Sequence, residues 1–137
     1  MGVINAIYFD LSTNAISGAV VTVISQNGGL LGPGGSGVNL IASITDGQNI
    51  TNNDGKYGYN LISASSMLHG AVTVNTNCNI ATKYCGPVSS GTKEVFNTQD
   101  HPIDSARVRM DIAAGATYVN NPGVYTDTLT FVATSTF

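Results

Sequence analysis

The closing stretch of the chain constrains its fold more than any other. It reads Pro122-Gly123-Val124-Tyr125-Thr126-Asp127-Thr128-Leu129-Thr130-Phe131-Val132-Ala133-Thr134-Ser135-Thr136-Phe137, with no breaker after the Pro-Gly start. Odd positions carry Tyr125, Leu129, Phe131, Ala133 and Phe137, while even positions carry threonines and valines from Val124 to Thr136. A period of two in β-branched and aromatic residues predicts a strand with one apolar face. The strand is expected to run to the last residue, and a partner layer must cover its apolar face. Asp127 interrupts that face. If buried, its carboxylate needs a partner, which Arg107 or Arg109 on a neighbouring predicted strand would supply; if the strand start is solvated, it needs none.

The remaining residues point the same way. Residues 1–137 suit a single domain with a real core. Only 9% of residues are charged, against roughly 25% in an average soluble chain. Thr, Ser, Asn and Gly must therefore form the surface, as in secreted or assembled β proteins. With 42% hydrophobic residues, the chain is too apolar to stay unfolded. Its net charge of −3 disfavours nucleic acid, which selects a basic face. No apolar run approaches the roughly 20 residues of a membrane-spanning helix. Met1-Gly2-Val3-Ile4-Asn5 lacks the basic region and cleavage site of a signal peptide, so a mature or trimmed chain is expected.

Short extended segments fill the chain before its end: residues 3–11, 17–25, 38–45, 57–61, 71–75, 95–96 and 106–112. Ala19-Val20-Val21-Thr22-Val23-Ile24 is apolar on both faces, as a central strand would be. Ala106, Val108, Met110 and Ile112 alternate with Arg107, Arg109 and Asp111, which marks a half-solvated strand. Gly28 to Gly37 holds six glycines and one proline and reads as a loop. Asn53-Asp54-Gly55 reads as a hairpin turn that leads into Tyr57, Tyr59 and Leu61 on one face of the next strand. Ser63–Gly70 is the nearest candidate for a helix, and a poor one. The prediction is an all-β sandwich of seven to eight strands.

Cys78 and Cys85 lie too far apart for a CxxC redox motif, and no histidine nearby completes a zinc site. A structural disulfide is favoured over two free buried thiols. It would stabilise the fold by about 2–3 kcal/mol and belong to an oxidising compartment. Gly32-Pro33-Gly34-Gly35-Ser36-Gly37 has dinucleotide-loop spacing, but the helix that motif needs is missing. Gly86 to Lys93 resembles a phosphate loop in glycine spacing alone. His69 and His101 sit at predicted turns with no nucleophile elbow near them. No catalytic residue, cofactor or metal site is assigned.

One family resemblance emerges. Gly123-Val124-Tyr125-Thr126-Asp127-Thr128-Leu129-Thr130-Phe131 resembles the final strand of bacterial fimbrial subunits of the spore coat protein U and archaic chaperone–usher type. Tyr57-Gly58-Tyr59-Asn60-Leu61 and Ala19–Val23 are similar to their core strands. The resemblance implies an immunoglobulin-like Greek-key sandwich that lacks one strand, which a neighbouring subunit donates. Tyr125, Leu129, Phe131, Ala133 and Phe137 would then line the acceptor groove. Residues 1–9, with Val3, Asn5, Ile7 and Phe9 alternating, would be a donor or edge strand. The partners implied are other copies or related subunits and a periplasmic chaperone, and the location is the bacterial surface, in a fimbria or coat. The competing expectation is an adhesin or carbohydrate-binding module that uses the glycine loop with Tyr84 and Tyr118.

Overall fold

The computed structural model describes residues 2–65 and 70–137. Among them are nine strands: β1 (Gly2–Thr13), β2 (Ala19–Ser25), β3 (Gly29–Gly32), β4 (Gly35–Ser43), β5 (Lys56–Ser65), β6 (Thr73–Val74), β7 (Lys93–Asn97), β8 (Ile103–Gly115) and β9 (Leu129–Ser135). They form an all-β sandwich of two sheets, ordered β1-β8-β5-β4-β3 and β6-β7-β2-β9. The only helical element described is a 3₁₀ turn, Thr76–Cys78.

The core lies where the patterns converge. β2 alternates buried and half-buried residues along its whole length, because β7 and β9 flank it and the other sheet covers it. Val21 and Val23 meet Tyr59 and Leu61 of β5, Val95 and Phe96 of β7, and Val108 and Met110 of β8. Arg107 and Arg109 point away from this core, as the alternation in β8 predicts. Arg107 forms a bidentate pair with Asp10 of β1, at 2.6 and 2.9 Å, and so holds that carboxyl below its usual range. Arg109 forms a second bidentate pair, with Asp111 two residues on, at 2.7 and 3.0 Å.

Cys78 and Cys85 are disulfide-bonded, with Cα atoms 5.4 Å apart, and both are fully buried in this core. Cys85 also exchanges two backbone hydrogen bonds with Tyr59, at 2.8 and 2.9 Å. The disulfide thus anchors the loop that extends sheet pairing beyond the end of β4. Gly58 lies beneath it: a Cβ there would sit 2.8 Å from the Cys85 carbonyl oxygen.

Two expectations fail here. The glycine-rich stretch 28–37 is a β-hairpin, not a loop. Leu30 and Leu31 pair with Ile41 and Leu40, and Leu30 packs on Ile41 and Tyr57. The glycines instead serve the turn, where Gly34 and Gly35 take φ of +85° and +93°. Asn53-Asp54-Gly55 does turn the chain, with φ of +70° at Asn53 and +61° at Gly55, but it closes no hairpin. β4 and β5 are parallel, because residues 44–52 first cross over, anchored by Ile44 and Ile50 against Tyr84 and Ala113. Of the poor helix candidate, Ser63–Ser65 end β5, and residues 66–69 lie outside the described residues.

Reduction of the disulfide should lower the unfolding free energy by about 2–3 kcal/mol, checked by denaturant melts with and without reductant. Burial also pushes the Tyr57 and Tyr59 phenols well above the ordinary tyrosine value. In the unfolded chain they ionise near pH 10; in the fold they stay neutral. Stability should therefore hold up to about pH 10 and fall as pH rises further. The Tyr59 hydroxyl is buried with no hydrogen-bond partner among the described residues. Tyr59→Phe should therefore be neutral or stabilising by up to about 1 kcal/mol at pH 7 and should reduce the alkaline loss, as thermal melts at pH 7 and 11 will show.

Candidate assembly edge

β9 forms the site. Its register against β2 runs without a shift from Ala19↔Ser135 to Ser25↔Leu129. The pairing continues past both ends of the strand. Thr136 bonds to Gly18 and Ser17, Thr128 accepts from Gln26, and Thr126 exchanges two bonds with Leu31 of β3, at 2.8 and 2.9 Å. All of these partners lie within residues 17–31, on one side of the closing segment. The even-numbered residues therefore turn their backbone groups toward β2 and β3. Since these directions alternate along a strand, the N–H and C=O groups of Leu129, Phe131, Ala133 and Ser135 face the other way. β9 is the last strand of its sheet, so no strand among the described residues pairs with that side.

Long sheet edges are normally guarded by charge, proline or a bulge. β9, Leu-Thr-Phe-Val-Ala-Thr-Ser, has none of these. Its inward residues are also incompletely covered: Leu129 and Phe131 pack on the core while half-buried, and Ala133 is exposed. The nearest cover comes from β1, the edge strand of the other sheet. The Phe9 ring meets Phe131 edge-on at 4.8 Å and tilts against Phe96 at 5.9 Å. Farther along, the Thr13 and Ser135 hydroxyls lie 3.4 Å apart. Two edge strands, β1 and β9, thus flank one seam of the sandwich.

Asp127 turns the corner between the two sheets. Its carboxylate accepts from the Ser25 hydroxyl at 2.7 Å, the Asn27 amide at 3.2 Å and the Thr128 amide at 2.9 Å. Ser25 Oγ in turn accepts from the Gly28 amide at 2.7 Å. This overturns the expected Arg107 or Arg109 partner: both arginines belong to the opposite sheet and are taken by Asp10 and Asp111. The strand also begins later than its periodicity suggests, at Leu129, because the chain breaks step at Asp127 to change sheets.

The structure divides the expected groove residues. Leu129 and Phe131 flank the seam. Tyr125 packs instead over Gly32 and the Leu30–Ile41–Tyr57 cluster, and its hydroxyl donates to the Asn121 carbonyl at 2.8 Å. Phe137 lies past the strand and is 85% exposed. Phe9 is the contributor that the C-terminal pattern alone does not reveal, although the alternation through Ile7 and Phe9 was its signal. The alternative binding loop does not assemble as expected: Tyr118 is exposed, but Tyr84 is buried in the core. His101 sits exposed in the Thr98–His101 turn; His69 lies outside the described residues.

Comparison with known protein families, curated proteins and solved structures finds no match to this chain. The disulfide is the bond of an oxidising setting, extracellular or periplasmic. No helix among the described residues is long and apolar enough to cross a membrane.

Asp127→Ala should destabilise the fold by about 1.5–3 kcal/mol, since it orphans three donors. In double-mutant cycles it should couple to Ser25→Ala by about 1 kcal/mol and to Arg109→Ala by roughly nothing, measured by chemical denaturation.

Proposed function

We propose that this protein is a structural subunit of an extracellular fimbria or coat that assembles by adding a strand to the β9 edge. The observation that carries the reading is the outer side of β9: uncharged, seven residues long, unpaired among the described residues and backed by half-covered Leu129 and Phe131. Strand addition would satisfy the four outward backbone positions and bury the apolar residues beneath them. The partner class is an extended segment of another copy or a related subunit, with alternating apolar side chains. A periplasmic chaperone that shields the same edge before assembly belongs to this reading, as does a place on the bacterial surface. The reading assigns the chain no catalysis and no cofactor. The adhesin alternative is weaker, because Tyr84, one of the two tyrosines it names, is inside the protein.

A synthetic peptide of residues 2–13 carries the required alternation in Ile7, Phe9 and Leu11. At about 100 times its Kd it should stabilise the fold by roughly 2.7 kcal/mol, or about 5–10 °C in Tm for a domain of this size. Calorimetry with and without peptide tests this, and electron microscopy of concentrated protein tests for polymers. No Tm shift together with no polymers would overturn the reading.

A further inference from the structure

The free edge of β9 is complementary to itself. Its outward backbone groups belong to Leu129, Phe131, Ala133 and Ser135. Turn a second β9 antiparallel about a two-fold axis through Val132. Leu129 then meets Ser135, and Phe131 meets Ala133, each as a hydrogen-bonded pair. On the inward face each large side chain meets a small one. On the outward face Thr130 meets Thr134 and Val132 meets its own copy, and threonine and β-branched pairs of this kind favour cross-strand contact. A charge on the axis would meet its own copy, and a charge elsewhere would need an opposite charge at its mate; β9 carries no charge at all. β1 differs: Asp10 sits on it, tied to Arg107.

We propose that β9 pairs with β9 of a second copy of this chain, joining two four-stranded sheets across a two-fold axis at Val132. The proposal rests on the reading that this edge accepts an added strand, and it names the partner taken when no donor segment is present. An interface of this kind is isologous and closed, so it stops at the dimer instead of growing. A donor strand must displace it, which makes the dimer a resting form that keeps the edge covered before assembly.

The geometry supplies a register-specific test. The backbone groups of Val132 face β2, so Val132 and its copy form a non-hydrogen-bonded pair with Cα atoms about 4.5 Å apart, within disulfide reach. Val132 is 46% exposed. The two native cysteines are bonded to each other, so an added thiol is the sole free one. In a glutathione redox buffer Val132→Cys should cross-link into a dimer on non-reducing gels. Thr130→Cys should stay monomeric, because its mate is Thr134. The double variant Thr130→Cys with Thr134→Cys should cross-link, which guards against a folding defect at position 132. Sedimentation of the unmodified protein should show a reversible dimer.

Adding the residue 2–13 peptide separates the two ideas. Loss of the Val132→Cys cross-link with a rise in Tm supports both. A rise in Tm with no cross-link in either cysteine variant overturns the dimer and leaves strand addition standing. Thr130→Cys linking as well as Val132→Cys also overturns the proposed register. A cross-link that the peptide neither competes with nor accompanies with a Tm rise supports self-pairing and removes the donor-strand reading.

Discussion

A strand in a sheet has two sides, and both sets of backbone groups need partners or water. Much of this molecule follows from how the closing segment meets that demand on one side only. From Thr126 to Thr136 it bonds to residues 17–31, first along β3 and then along β2. It therefore stitches the end of one sheet to the edge of the other. No described strand pairs with its outer side, and the half-covered state of Leu129 and Phe131 follows from the same asymmetry.

The crossing between sheets needs a fixed corner, and Asp127 supplies it. A carboxylate can accept several hydrogen bonds at once, so one side chain ties Ser25, Asn27 and Thr128 together at the point where regular pairing is interrupted. Tyr125 lies on one side of this corner, over Gly32 and the β3–β4 hairpin. Phe131 lies on the other, against Phe9. The closing segment thus contributes to two separate apolar clusters.

The scarcity of charge shapes the rest. The described ion pairs are few, and two of them hold the outer face of β8: Asp10–Arg107 joins it to β1, and Arg109–Asp111 runs along it. Lys93 and Asp46 pair at 2.6 Å while both bind Gly86, beside the disulfide loop. None of the chain's charged residues lies in β9. An edge with neither charge nor proline favours added strands, and this is the physical root of the assembly reading.

Local pattern was enough to announce an all-β chain, since alternation in β2, β8 and the closing segment reports which residues face a core. It also announced the cysteine pair, whose short spacing suits a local bond. It misjudged the glycine stretch and the Asn-Asp-Gly turn, because turn residues report how the backbone bends and not which strand it meets next. The parallel β4–β5 pairing and the Ser25–Asp127 clamp join positions far apart in the chain, and no local signal encodes such meetings. What the sequence by itself determined was the face each strand buries, because side-chain alternation is a property of the strand alone. Which edge stays unpaired was decided by tertiary structure, because it depends on where every other strand finds its partner.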